Sequence, residues 1–241
     1  MSPQDITRKK YILSLGAGQQ SSAMAIMIAN KDPRLEEYWG IDCVFADTGG
    51  EHPETYEWIK KLDSYLKKKG MKIHTVAKEE MLFDYYKRKK IIPLRKFRFC
   101  TARWKVQVIE KFLKKEYNGE EIITLIGYTI EEMKRKERLT SDRITPLIDL
   151  GYTREDCIQE IKKYGFKIIP RKSGCYFCVF QGKKEWKKLY QNYPELFRKA
   201  LFLEDECVKY NFNDKKALLD IVPAAHKDQK SLCEYGGYCN L

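Results

Sequence analysis

The chain has 241 residues, of which 43% are hydrophobic and 33% charged. At roughly 150 residues per domain this is one large domain, or one domain with an appendage, with enough apolar material for a core; a disordered chain is excluded. Lys and Arg number 46 against 34 Asp and Glu, a formal charge of +12. Such a surface attracts polyanions, although a lysine-rich proteome would give a similar count. No apolar run approaches the ~20 residues of a membrane span. There is no G-X-Y period, no sustained heptad and no self-similar repeat. Only about five apolar residues precede Gly16, too few for a signal peptide, so the expected location is cytoplasmic and no membrane partner is expected. The eight cysteines are then expected as thiols, and clustered thiols in a reducing compartment bind metal or do redox chemistry.

In chain order, residues 11–15 (YILSL) read as a buried strand, followed by the Gly-rich turn 16–18 and an apolar helix (AMAIMIA). Residues 41–46 (IDCVFA) read as a second strand ending at Asp47-Thr48. A helix runs from Pro53 to about Lys69, with proline where its missing N–H costs nothing. A third strand is expected at 71–76, helices at 79–90 and 104–117, and a fourth strand at 122–127. Alternating strands and helices argue for a parallel α/β sheet, whose ligands bind at strand carboxyl ends. Three such ends carry polar residues: 14–22, 47–48 and 127–135. Beyond about 140 the pattern changes to a helix at 153–164 with Thr153 as N-cap, the loop PRKSGCYFC, helices at 183–191 and 194–209, and an irregular tail rich in Gly, Cys and Tyr.

Four segments carry chemistry. In SLGAGQQSS, small residues let the backbone approach an anion, the following helix aims its N–H groups at it, and Ser21 and Ser22 add hydroxyls. The loop lacks the lysine of a Walker A motif and the spacing of a dinucleotide turn. A plain tight turn is the bland alternative. In FADTGGEHPET, Asp47 can hold Mg²⁺ or a ribose hydroxyl, or Asp47 or Thr48 simply caps a helix. In RFCTARWK, Cys100 stands at a helix start beside Arg103 and Lys105, a setting that favours thiolate, the form that attacks or ligates. In SGCYFC, Cys175 and Cys178 can reach one metal or cluster, with further thiols from Cys100, Cys233 or Cys239; a redox pair is the alternative. Cys43, Cys157 and Cys207 sit in predicted elements and read as packing residues. The stretch KRKKIIPLRKFR (87–98) interleaves cations with apolar and aromatic residues and could track a phosphate backbone, or form a solvated basic face.

In order, SLGAGQQSS, FADTGGEHPET, CTARWKVQVI, GYTIEEMKRK, KSGCYFCVFQ and CEYGGYC together resemble the phosphoadenosine phosphosulfate reductase-like branch of the PP-loop ATP pyrophosphatases, the adenine nucleotide alpha hydrolases, over about residues 11–241. The resemblance implies an α/β fold: a doubly wound parallel sheet of about five strands, with a helical, Cys-containing C-terminal extension. It divides the chain into a PP-loop nucleotide-binding domain at 1–150 and the extension at 151–241. ATP with Mg²⁺, or an adenylyl sulfate, would lie on Ser14, Gly16, Ala17, Gly18, Gln19, Gln20 and Ser21, with Asp47, Thr48 and Arg135 beside it and Glu131 and Glu132 nearby.

Similarity to DNA phosphorothioation ATP pyrophosphatase subunits implies a 4Fe-4S cluster, or zinc in its place, on Cys100, Cys175, Cys178 and either Cys233 or Cys239. Cys100 and Cys233 are the candidate catalytic thiols. Two departures stand out. Gln20 replaces the acid of Ser-Gly-Gly-x-Asp-Ser, as in adenylyl-sulfate reductases, and the tail lacks the reductases' Glu-Cys-Gly-x-His. Three readings follow: an adenylating sulfurtransferase acting on nucleic acid (DNA or tRNA), with a cysteine desulfurase as sulfur donor; an adenylyl-sulfate reductase working with thioredoxin; and a zinc-stapled binding protein without turnover. Relatives are often dimers or work beside partner proteins, and the oligomeric state is open, a homodimer included.

Overall fold

A computed structural model describes residues 9–97, 99–207, 212 and 218. The described residues group into two compact units. The first draws on residues up to Asp47, on Glu51–Lys78 and on Trp104–Ser173; the second draws on Thr48–Gly50, Glu79–Arg103 and the residues from Gly174 onward.

The first unit is built on five parallel strands: β1 (Lys9–Ser14), β2 (Cys43–Asp47), β3 (Ile73–Ala77), β4 (Glu121–Ile126) and β5 (Arg143–Ile144). Their order is β3-β2-β1-β4-β5. All of β1 pairs with β4, Lys9 opposite Glu121 through Ser14 opposite Ile126, while Leu13 and Ser14 face Cys43 and Val44. The chain thus steps outward from β1 to β3, then returns to the far side of β1 for β4 and β5. The expected parallel α/β sheet is borne out. β5 escaped the sequence reading because two residues are too few to show a period.

Alternation along the strands sorts the core onto two faces. Leu13, Leu15, Cys43 and Phe45 join the larger cluster with helices α1 (Gln19–Ala29) and α2 (Pro53–Lys67). Ile12 and Val44 point the other way, onto Leu113 of the helix Gln107–Glu116. Every residue of α1 from Ser21 to Ala29 is buried. Helix Arg154–Lys163 packs against it, which accounts for a sequence that is apolar all round and not striped. That helix begins as expected: Thr153 accepts from the Asp156 N–H and Asp156 closes the capping box.

An ionic cluster joins the end of α1 to this helix. Asp32, 4% exposed, receives the Arg34 guanidinium at 2.6 and 2.8 Å. Arg34 also reaches Glu160 at 2.7 Å, and the Tyr152 hydroxyl donates to Glu160 at 2.8 Å. The guanidinium beside Asp32 holds its carboxyl down at about 2. Burial alone would raise Glu160, but Arg34 and Tyr152 bring it below the ordinary carboxylate value.

The second unit has an aromatic core. Helix α3 (Leu82–Lys89) supplies Phe83 and Tyr86, which meet Phe177 at ring separations of 5.9 and 6.0 Å. Helices Lys183–Asn192 and Pro194–Glu206 complete it and form the expected helical C-terminal region. Buried Glu204 accepts the backbone N–H groups of Phe212 and Leu218 at 2.8 and 2.6 Å. Gly50 is needed for close approach: a Cβ there would lie 2.7 Å from the Phe177 ring. Among the described residues, no helix is long and apolar enough to cross a membrane.

The Asp32 cluster yields a stability prediction. Its folded value lies below the ordinary 3.8, so the contact stabilises the fold above about pH 4 and is lost as pH falls through about 2. Asp32→Asn should cost about 2 kcal/mol near neutrality, and the gap to the parent should close between about pH 4 and 2. Urea denaturation across that range measures it; a gap independent of pH would refute the assignment.

Candidate active site

The strand order reverses at β1, and sheets of this kind bind ligands beyond the carboxyl ends of the strands at such a point, here those of β1 and β4. β1 ends at Ser14, and the Leu15 N–H still bonds to Val44 of β2 at 2.8 Å. The chain then turns sharply. Ala17 takes a left-handed conformation, φ +56°, uncommon for a residue with a Cβ. Gly18 is the N-cap of α1 and offers no side-chain cap, and the first turn holds no acid. The helix N-terminus therefore presents backbone N–H groups and the positive end of its dipole toward the loop, an arrangement suited to an anion. The Gly16 N–H donates to Ser21 Oγ at 3.1 Å and keeps the loop tight.

Two neighbours come close to this loop. A Cβ on Gly127 would sit 2.8 Å from the Ser21 nitrogen, so only glycine lets the end of β4 lie against it. Ser173 lies over Gly18, 3.3 Å from where a Cβ would be. Neither residue was singled out from the sequence as a contact of the loop. Gly127 had a visible signal, a glycine at a strand end; Ser173 had only its place two residues before Cys175.

The remaining candidates are distributed as follows. Gln20 Nε2 donates to Glu132 Oε2 at 3.3 Å, and Arg135 pairs with Glu132 while lying 4.3 Å over the Tyr128 ring. The loop and the 127–135 segment thus share one polar network. Glu131 turns away, accepting the Arg154 N–H at 2.9 Å, and that bond holds its carboxyl low. Gln19 is half-buried in the first turn of α1. Ser22 departs from expectation: it is fully buried and accepts from the Trp58 indole at 2.9 Å, so its hydroxyl belongs to the core. Asp47 ends β2 and accepts the Tyr56 hydroxyl at 2.8 Å; burial first, then Asp47, pushes that phenol well up. Buried Glu51, 3% exposed, pairs with the partly exposed Lys105 at 3.0 Å, an ion pair outside the motifs read from the sequence.

The second unit gathers the thiols. Cys175 and Cys178 span one turn, the Cys178 N–H bonding to the Cys175 carbonyl at 3.0 Å. Thr48 Oγ1 lies 3.3 Å from Cys175 Sγ, so this hydroxyl, expected beside a nucleotide, contacts sulfur. Cys100 sits in the short helical turn Phe99–Thr101, which runs into a π-type stretch, Ala102–Val106, ahead of Gln107–Glu116. Such π stretches gather at functional sites.

The Tyr86 hydroxyl is buried and makes no well-formed hydrogen bond. Burial, then Cys100, then Cys175 and Cys178 push its phenol far up, which places all three thiols near one hydroxyl. None of the three is held in a disulfide. Among the described residues, no group of three or more His, Cys, Asp or Glu side chains is drawn to metal-holding distance. Cys233 and Cys239 lie outside the described residues. Cys43 and Cys157 are fully buried, and burial pushes the Cys157 thiol up to about 12.

The fold defines a parallel α/β protein with a glycine-rich turn and a helix N-terminus at its topological switch point. The family model for the phosphoadenosine phosphosulfate reductase domain matches residues 10–154, and the chain belongs to that family. Two uncharacterized proteins of Methanocaldococcus jannaschii, MJ0973 and MJ0066, are 26% and 24% identical to it across 94% and 86% of this chain, but 56% and 44% of their own lengths. The chain therefore spans about half the length of these curated relatives. A phosphoadenylyl-sulfate (PAPS) reductase from Candida auris, in a phosphate complex, aligns over 66% of this chain and 75% of that one, at 16% identity and a TM-score of 0.43.

Gly127 offers a direct test of the loop. Gly127→Ala puts a methyl group against backbone that has no slack. It should destabilise the fold by about 1–3 kcal/mol; if the turn holds the phosphates of ATP, it should also weaken ATP binding about tenfold, some 1.4 kcal/mol. Calorimetric titration reads both the parent and the variant. An unchanged affinity would remove the phosphates from the Ser21 loop.

Proposed function

We propose that the chain is a PP-loop ATP pyrophosphatase that adenylates a substrate and supports sulfur transfer, with nucleic acid as the acceptor. The observation that carries this reading is the loop: an uncapped helix N-terminus behind a left-handed Ala17, closed by the approach of Gly127 to Ser21. Backbone N–H groups so fixed would hold the charge of a departing pyrophosphate without reorganising. A substrate oxygen attacks the α-phosphorus of ATP, the bond from that phosphorus to the bridging oxygen breaks, and pyrophosphate leaves with the electron pair. A sulfur nucleophile then displaces AMP. Asp47 is the acid of the site that would hold Mg²⁺.

The thiols of Cys100, Cys175 and Cys178, with Cys233 or Cys239 as fourth, are the donors for an iron–sulfur cluster. Soft sulfur donors suit iron–sulfur or zinc, and the Tyr86 hydroxyl, without a well-formed bond, is a donor ready for a bound group or its sulfur. Such a cluster would supply a site for carrying sulfide. The chain's own part is to present the thiols, and to keep Thr48 against Cys175 and Tyr86 near all three.

A second reading, an adenylyl-sulfate reductase, is favoured by Gln20. Where an acid would bind a cation, a neutral amide is bonded to Glu132. One set of measurements separates the readings. Anaerobically purified protein should absorb near 400 nm and carry about four irons, and should form AMP and pyrophosphate from ATP when tRNA or DNA is present. Sulfite released from adenylyl sulfate with thioredoxin, and no pyrophosphate from ATP, would establish the reductase. About one zinc and no iron, without turnover, would reduce the cysteines to a staple.

Tyr86→Phe adds a further check. In metal-free protein it should be neutral or stabilise by about 1 kcal/mol, because it removes a poorly bonded buried hydroxyl. In loaded protein it should destabilise and shift the absorption band. The same sign in both states would mean that no bound group meets Tyr86.

A further inference from the structure

We infer that the second unit carries a stacking site for unpaired nucleic acid, built on Phe97 and Phe180. Of the chain's eleven phenylalanines, these two are the exposed ones, at 62% and 44%. Exposed rings scattered singly would need no explanation; these are not scattered. Arg95 lies 5.9 Å over the Phe180 ring, so the turn that presents Phe97 also touches Phe180. That turn is a tight one, the Phe97 N–H bonding to the Leu94 carbonyl at 3.0 Å, and it holds Arg95 and Lys96 at its tip. Phe180 stands two residues after Cys178, and Lys183 and Lys184 follow it, exposed, at the start of the next helix.

The charge beside the rings is mostly positive, although Arg88 is paired with Glu80 at 2.7 Å and Lys90 with Glu206 at 3.3 Å. Residues 87–97 hold six cations and no carboxylate. The lone acid in 174–192, Glu185, is engaged with the Gly182 N–H at 2.7 Å. A protein partner with an apolar patch would not use the exposed Lys96, Lys183 and Lys184, whereas a polyanion with accessible base faces satisfies rings and lysines together. A duplex keeps its bases stacked inside and could use only the cations, so the occupant is a single strand, a loop or a flipped-out base. The loops that hold Phe97 and Phe180 are those that hold Cys100 and Cys178, so a stacked base would lie on the same two loops as the thiols. The inference deepens the proposed function by naming where its acceptor docks, and it rests on that reading only for what happens after docking.

The test uses the full chain and fluorescein-labelled unstructured RNA and DNA of about 12 nucleotides, with a blunt duplex of the same sequence as comparison, read by fluorescence anisotropy over a salt series. The single strands should bind at least tenfold tighter than the duplex. Phe97→Ala and Phe180→Ala should each weaken single-strand binding by about tenfold and leave the salt slope and melting temperature unchanged. Lys96→Gln with Lys183→Gln should lower the slope by about 1.4, from two phosphates at ~0.7 each. Duplex bound as tightly as single strand, or single-strand binding unchanged in the double phenylalanine variant, would overturn the site. ATP turnover is measured separately. Binding without turnover leaves the stacking site standing and removes the adenylation reading; turnover with ring-independent binding does the reverse.

Discussion

The helix behind the glycine-rich turn has to be buried on every side, and much of the first unit follows from that. α1 presents no polar face, so the sheet covers one flank and helix Arg154–Lys163 another. A helix this enclosed cannot slide or tilt without opening voids that cost kcal/mol each. Its N-terminal N–H groups are therefore fixed in space, as a preorganised anion site requires. The close contact of Gly127 with Ser21 is the same constraint seen from β4: the two strand ends can flank one crevice only if nothing stands between them.

Buried charge is placed where it holds this frame. The Asp32–Arg34–Glu160 cluster sits at the opposite end of α1 from the turn, tying that end to helix Arg154–Lys163 through residues 126 positions apart. Buried Glu51 forms a second pair, with the partly exposed Lys105. Such pairs add little over an apolar substitute, yet breaking one leaves a stranded charge. They specify position more than they add stability. The aromatic core of the second unit does comparable work by packing, with Tyr86 carrying its hydroxyl to the thiols.

What could be read in advance was local. Thr153 and Asp156 are three residues apart, and a capping box needs no more than that to be visible. Strand, glycines and apolar helix made the strand–turn–helix at 9–29 legible in the same way. What stayed hidden depended on partners far along the chain. Ser22 reads from the motif as a hydroxyl of the loop, but its direction is set by Trp58, 36 residues on. Thr48 was placed beside a nucleotide by motif, but its hydroxyl meets a sulfur 127 residues away. Tyr86 looked like any other aromatic of an amphipathic helix. Nothing in Ala17 announces a left-handed backbone, since its conformation is imposed by the turn that must join β1 to a fixed helix.

The polar network at position 20 is where the two enzymatic readings part. Glu132 is satisfied from within the chain, by the Gln20 amide and the Arg135 guanidinium. A phosphate arriving at the loop competes for both donors. If it takes them, Glu132 is left as an unpaired carboxylate beside an anion, and that arrangement is unfavourable without a cation. ATP arrives with a divalent cation that can settle the charge. An adenylyl sulfate carries less negative charge and can bind on the backbone N–H groups of α1 while Gln20 and Arg135 remain on Glu132. A metal-dependent exchange of partners at Glu132 thus belongs to the ATP reading, and an undisturbed network belongs to the reductase reading.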